Sequence, residues 1–208
     1  MSFENIEFIL FGEKVEVKKE TVFLPEGFIP LFAPGRSYHK QRALKYMRKR
    51  GYDDDQIFRM KVGTCTKGEY KGRVIVPSFD EQGDLNYFIA RTYANDFPKY
   101  KNPKVSKASM VFNELTINFN RPIIIVEGVF DAILVDGVAI QGNSVGPEQA
   151  HLIEKLGKRI IVCPDKDEAG IELMLQAAEL GWEVSFPPWE PDIKDVGDAV
   201  TKYGRLLT

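Results

Sequence analysis

Residues 160–170 read IIVCPDKDEAG, an apolar run that ends in a loop where Asp165 and Asp167 flank Lys166. Taken alone, such a loop is also what an ordinary turn before a helix looks like. Two other segments share the pattern. PIIIVEGVFDA (122–132) carries Glu127 and Asp131 directly after an apolar run, and PDIKDVGDAV (191–200) carries Asp192, Asp195 and Asp198. Carboxylates gathered within a few ångströms repel and raise one another's pKa unless a cation sits among them. A hard divalent ion such as Mg²⁺ takes oxygen donors, keeps several waters and bridges substrate phosphates. One DxD is a weak signal; an EG turn, a DxD and a trailing acidic group, each after a strand, is a strong one.

A second group of residues is basic. Arg73 and Arg91 lie on or beside two adjacent predicted strands, and Lys99, Tyr100, Lys101, Asn102 and Lys107 follow in a loop. Arginine offers a planar fork to triphosphate oxygens, lysine a point charge to a backbone phosphate, and an aromatic ring a face for a base. For any one of these a solvated surface fits equally well, and Tyr100 also fits a core position. The charge is divided accordingly: residues 36–107 hold 17 Lys and Arg against 8 Asp and Glu, whereas residues 119–208 hold 8 against 15. That division suits a protein that grips a polyanion with one part and metal ions with the other. Two ordinary surfaces of opposite sign would give the same totals.

The elements that must position these residues follow from periodicity. Short β-branched runs at 122–126, 138–140, 159–163 and 182–186 predict strands covered on both faces. Helical stretches at about 129–136, 147–156 and 168–180 separate them, the last with Ile171, Leu175, Ala178 and Leu180 as its core stripe. Strands and helices alternating at this spacing predict a parallel sheet with right-handed crossovers, whose ligands gather at the carboxyl ends of the strands. All the acids named above fall at that edge. Upstream, residues 38–50 predict a basic amphipathic helix with Ala43, Leu44 and Met47 inward and Lys45, Arg48, Lys49 and Arg50 on a solvated face. Residues 72–78 and 85–93 predict two strands joined through Asp80 to Gly83. Residues 1–35 predict a hairpin around Gly12, followed by an irregular connector, PEGFIPLFAPG. The fold class is therefore α/β: a parallel sheet flanked by helices over 119–208, preceded by a smaller mixed α+β basic subdomain over 36–118 and an extension over 1–35.

Composition narrows the function classes. With 44% hydrophobic residues, 12% aromatic residues and a net charge of −2, the chain can bury a core, which excludes a disordered or collagen-like chain. No apolar run nears the roughly 20 residues a membrane span needs, and the start, MSFENIEFIL, lacks a signal peptide's basic region, so a cytoplasmic, membrane-free location is expected. Cys65 and Cys163 are far apart without a CxxC, and His39 and His151 are scattered, so no zinc site is expected. Cys163 suits a small buried hydrophobe, and Trp182 and Trp189 suit packing.

The order hydrophobic strand, EGxxDA, about 34 residues, then hydrophobic strand and DxD resembles the Toprim domain shared by DnaG-type primases, topoisomerases and some nucleases. The upstream segments narrow the choice. A helix ending in RG, the strand GRVIVP with its DEQG turn, a strand ending in IAR and the stretch PKYKN resemble, in order, the amino-terminal part of the catalytic core of bacterial and phage primases. Together the resemblance spans about residues 36–200. It implies RNA primer synthesis on a single-stranded DNA template from ribonucleoside triphosphates, by nucleotidyl transfer assisted by Mg²⁺ or Mn²⁺. It also implies that Glu127, Asp165 and Asp167 hold the metal, with Asp195 matching less closely and Asp131 and Asp198 as further candidates. Arg73, Arg91, Lys99, Tyr100, Asn102 and Lys107 then meet nucleotide or nucleic acid, with Lys101 beside them. Primases of this kind commonly carry a zinc-binding module and a helicase or helicase-binding region; neither is present in this sequence, so a zinc module on another chain or missing segment and a replicative helicase are expected partners. A Toprim nuclease and a catalytically degenerate DNA-binding replication protein remain the alternatives; the PKYKN segment speaks against the first and the intact acids against the second.

Overall fold

The structure, a computed structural model, describes residues 21–204 apart from 95, 108, 109, 113 and 143. The expected hairpin around Gly12 lies outside the described residues. Two four-stranded sheets organise the chain. The first is antiparallel, in the order β1 (Phe28–Pro30), β2 (Gly63–Cys65), β3 (Arg73–Phe79), β4 (Leu85–Thr92). The connector expected over 25–35 thus contains a short strand, β1, held at the sheet edge by three residue pairs with β2. Strands β3 and β4 form a hairpin whose turn is closed by Asp80: its amide bonds the Asp84 carbonyl, and its carboxylate accepts from the amides of Gln82 and Asp84.

Helices α1 (Tyr38–Lys49) and α2 (Asp54–Arg59) connect β1 to β2. The α1 helix buries Ala43 and Met47, as its periodicity predicts. The α2 helix begins with a capping box, the Asp53 carboxylate accepting from the Gln56 amide while the Gln56 side chain accepts from Asp53. Gln56 is itself buried, and its side-chain nitrogen donates to the Ile133 carbonyl at 2.9 Å. Beside it, the Tyr52 hydroxyl donates to the Phe130 carbonyl at 2.7 Å. Both acceptors lie on the helix that follows Glu127, so the upstream part of the chain fixes that helix in place.

The second sheet is parallel, with order β6-β5-β7-β8: β5 (Ile123–Val126), β6 (Val138–Ala139), β7 (Ile160–Val162) and β8 (Glu183–Val184). Helices α3 (Val129–Val135), α4 (Pro147–Lys155) and α5 (Glu168–Glu179) are the crossovers, and α6 (Val196–Tyr203) follows β8. The IIIV run of β5 is buried because helices cover both faces of a parallel sheet. One core cluster joins Met47, Val76 and Ile89 of the first half to Phe130, Ile133 and Val200 of the second, so apolar packing spans both sheets.

One helix faces differently from the expectation. Ile171 and Leu175 of α5 are 52% and 57% exposed and Ala178 is exposed, whereas Gly170, Leu173 and Ala177 are buried. The registers differ by about half a turn because the start of α5 packs directly on the Asp165 loop. A Cβ at Gly170 would overlap the Asp165 carbonyl oxygen, so the inward face must begin at residue 170. The sequence alone also gave no expectation of α2 or α6, which are only six and eight residues long.

Candidate active-site cleft

Parallel pairing of β5 with both β6 and β7 brings their carboxyl ends to one edge. Glu127 leaves the end of β5, Gln141 follows β6, and Asp165 follows β7 after Cys163 and Pro164. The Asp165 amide donates to Glu127 Oε1 at 3.2 Å, and the Gln141 amide donates to the Glu127 carbonyl at 3.0 Å. Glu127 is therefore tied at its side chain and its backbone to the two loops that flank it.

Asp131 and Asp195 join from α3 and the start of α6. Together with Glu127, Asp165 and Asp198 they line a cleft of about 510 Å³, whose other wall carries Arg50, Arg91, Lys99, Tyr100, Asn102 and Lys107. The acidic and basic groups that the sequence distributes over nearly 150 residues thus face one space. Asp167 is absent from this lining. Its carboxylate caps α5, accepting from the Gly170 amide at 3.0 Å, but its charge still reaches Glu127 and Asp165. Asp195 caps α6 in the same way, accepting from the Asp198 amide at 2.7 Å. Asp192 lies outside the cleft and pairs with Lys202 at 3.2 Å.

Burial and mutual repulsion show in the protonation of these groups. Asp165 is pushed up to about 8, first by loss of solvent, then by the charges of Glu127, Asp131, Asp195 and Asp167. Asp131 rises to about 6, again through burial and then through Asp195, with Arg50 opposing. Glu127 rises through burial, its bond from the Asp165 amide opposing. Asp131 is packed so closely that a Cβ on Gly197 would lie 2.7 Å from its Oδ1, and that buried oxygen accepts no hydrogen bond. Among the described residues, no three His, Cys, Asp or Glu side chains are drawn together tightly enough to ligate an ion as they stand.

The basic wall is built on the edge of the first sheet. Beyond β4 the chain turns back, so that the Thr92 amide bonds the Lys99 carbonyl and the Lys101 amide bonds the Ala90 carbonyl. The Asn102 side-chain oxygen accepts from the Ala90 amide at 3.1 Å, closing the added strand-like segment. This sets Arg91 beside Tyr100. The Arg91 guanidinium donates to the Tyr100 hydroxyl at 2.5 Å and lies 5.1 Å from the ring centres of both Tyr100 and Phe130. Arg91 in turn pushes the Lys99 ammonium down. Lys107 donates to the Gln141 carbonyl at 2.9 Å, linking the two walls.

Two expected contacts lie elsewhere. Arg73 is 7% exposed, and its guanidinium donates to the carbonyls of Pro98 (2.9 Å) and Lys99 (3.3 Å), so it supports the loop from beneath. Lys101 pairs with Glu69 at 2.8 Å outside the cleft. Conversely, Arg50 is not on a solvated face: α1 ends there, and its guanidinium enters the cleft 5.7 Å from the Phe130 ring centre. The sequence signal for it was the helix end itself, since the residue after the last turn leaves the helix's outer face. Gln141 was also missed, having no motif of its own.

Residues 124–199, which hold the parallel sheet and its strand-end acids, match the family model described as Toprim-like. The described architecture is similar in fold to solved primase catalytic domains. Its fold superimposes on the DnaG primase catalytic domain bound to ssDNA with a TM-score of 0.69 at 23% identity, covering 82% of this chain and 70% of that one. It also superimposes on the Aquifex aeolicus primase, zinc-binding and RNA polymerase domains, with a TM-score of 0.68 at 24% identity, covering 80% and 54%. In sequence the chain is 31% identical over 153 residues to the DNA primase of Halalkalibacterium halodurans, covering 65% of this chain but only 25% of that protein. Among the described residues, no helix is long and apolar enough to cross a membrane.

Proposed function

We propose that this chain is the nucleotidyl-transfer core of a DNA primase, extending RNA on a single-stranded DNA template. The observation that carries this reading is the single cleft with strand-end carboxylates on one wall and Arg91, Lys99 and Lys107 on the other. A nuclease also needs the acids, but a strand-holding wall beside them suits an enzyme that keeps a template in place while it adds to a primer.

The donor set fits a divalent ion. Glu127, Asp165, Asp131 and Asp195 are hard oxygen donors, two of them held well above the usual carboxylate range by burial and one another's charge, and Asp131 Oδ1 is buried without a donor. Glu127 and Asp165 would hold Mg²⁺ or Mn²⁺, with Asp167, Asp131 and Asp195 supplying further negative charge. A bound ion would neutralise the triphosphate of an incoming nucleotide and acidify the attacking 3′-hydroxyl. The chain's own residues do the positioning. The Glu127–Asp165 bond sets the spacing of the two carboxylates, Arg91 presents a guanidinium steadied by two aromatic rings, and Lys99 and Lys107 offer point charges to phosphates. The Tyr100 ring, 40% exposed at the cleft and backed by Phe130, suits stacking by a base. Residues 36–118 would serve as the template-holding part and 119–208 as the metal-binding part, with the zinc module and helicase on other segments or chains.

The test supplies a preformed RNA primer annealed to single-stranded DNA, ribonucleotides and Mg²⁺ or Mn²⁺, and follows both primer length and DNA integrity. Primer extension lost in Glu127→Gln and Asp165→Asn supports the reading. Cleaved DNA without extension points to a nuclease, and template binding without either reaction points to a binding protein.

A further inference from the structure

Gln141 stands out in the cleft for two reasons. Its backbone is in the left-handed region, φ 58°, which a non-glycine residue adopts only under strain. Its side-chain Oε1 and Nε2 are both buried, and neither has a hydrogen-bond partner. Buried amide groups are nearly always paired, because leaving them unpaired forfeits their hydration. Glycine would take this backbone without strain and bring no unpaired atoms, so the carboxamide is a structural liability in the free protein.

The backbone around it is held by hydrogen bonds on both sides. The Gln141 amide bonds the Glu127 carbonyl at 3.0 Å, and its carbonyl accepts from Lys107 at 2.9 Å. The carboxamide is thereby carried on the residue that bridges the acidic wall and the basic wall. It is neutral, and so adds nothing to metal or phosphate binding by charge. It offers one donor and one acceptor side by side, the complement of a hydroxyl, which accepts and donates at once.

We infer that Gln141 is a specificity-determining residue that hydrogen-bonds a sugar hydroxyl of the incoming nucleotide and so favours ribonucleotides over 2′-deoxyribonucleotides. This deepens the primase reading and rests on it. The sugar is the part of a nucleotide adjoining the phosphates, and Gln141 adjoins the carboxylates that would manage those phosphates through the ion. The sugar hydroxyl is also the group that separates RNA from DNA precursors. A site that pairs a substrate hydroxyl discriminates against the analogue that lacks it, because its own polar atoms are then left unpaired.

The experiment measures equilibrium binding of ATP, dATP and tripolyphosphate to the full chain in Mn²⁺, for the wild type, Gln141→Leu and Gln141→Met. Wild type is expected to bind ATP roughly tenfold more tightly than dATP, and both variants are expected to bind the two nucleotides about equally. Tripolyphosphate binding should be unchanged in all three, which also reports that the variants are folded. Retention of the wild-type ATP-to-dATP ratio in both folded variants overturns the inference and leaves the primase reading intact. Wild type that binds tripolyphosphate but gains nothing from the nucleoside overturns both.

Discussion

The backbone amide of Asp165 donates to the carboxylate of Glu127 at 3.2 Å, joining the ends of two neighbouring parallel strands. The bond does two jobs. It holds Glu127 in one orientation, and it keeps the Glu127 carboxylate close enough to raise the cost of ionising Asp165.

Replacing Glu127 by glutamine separates these jobs, since the amide oxygen can still accept from Asp165 while the negative charge is gone. Primer extension is expected to fall by roughly 100-fold or more, the scale on which loss of one preorganised electrostatic group slows an enzyme. The thermal midpoint should not fall, and affinity for single-stranded DNA should stay within about twofold. Extension within tenfold of wild type would remove Glu127 from the reacting centre.

The raised Asp165 predicts an unusual pH dependence of stability in metal-free protein. Its folded value of about 8 lies above the ordinary 3.8, so between those limits the folded state holds a proton that the unfolded state has released. Stability then falls as pH rises through the window, the reverse of a salt-bridged aspartate. Asp165→Asn removes the effect. Because the site is partly open to water, the gain is modest: the midpoint of the variant should exceed wild type by about 2–4 °C at pH 8, and the difference should vanish near pH 4. Adding Mn²⁺ should raise wild type and leave the variant nearly unmoved. Equal midpoints at pH 8 without metal would show that Asp165 ionises there at no cost.

Much of the acidic edge was legible because a parallel sheet obeys one rule, that strand ends share a face. Three acidic segments therefore meet by topology alone. What was not legible depended on tertiary packing. Arg73 and Arg91 lie in one predicted hairpin, and nothing in their types says that one guanidinium turns under the loop while the other stacks on aromatic rings. Arg50 looked like one more cation in a basic helix, yet it is where the helix stops. The face of α5 was misread because Ile171 and Leu175 are apolar, whereas the contact that sets the register is made by Gly170, a residue with no side chain to signal it.

That correction gives its own prediction. Leu173 is fully buried and Leu175 is 57% exposed, although the two lie on the same helix. Leu173→Ala should cost about 2–5 kcal/mol through lost burial and the cavity left behind, whereas Leu175→Ala should fall within about 0.5 kcal/mol of wild type. Denaturant titration of both variants checks this, and comparable losses would return the core to the other face.

Lys99 lines the cleft beside Arg91, which already depresses its pKa by repulsion. A nearby phosphate would relieve that repulsion, which makes Lys99 a stronger candidate for a backbone contact than an isolated surface lysine. Lys99→Gln should weaken binding to single-stranded DNA. It should also reduce the slope of log affinity against log salt by about 0.7, the share of one phosphate on a single strand. An unchanged slope would mean that no counterion is displaced there.

Arg73 offers the contrasting case, because its charge is spent on the protein itself. Its guanidinium is buried and donates to the carbonyls of Pro98 and Lys99, the stretch that leads into Tyr100. Arg73→Met keeps the bulk of the stem but removes the guanidinium donor from both carbonyls, leaving the Lys99 carbonyl with the Thr92 amide alone. A loss of about 1.5–3 kcal/mol in stability is expected, the range for hydrogen bonds to a charged group. DNA affinity should drop as well, since Lys99 and Tyr100 lose their support, but the salt slope should keep its wild-type value because no phosphate contact is deleted. Measured together, the two slopes separate a residue that touches the strand from one that holds the loop. A slope reduced by Arg73→Met as much as by Lys99→Gln would place the Arg73 guanidinium on a phosphate instead.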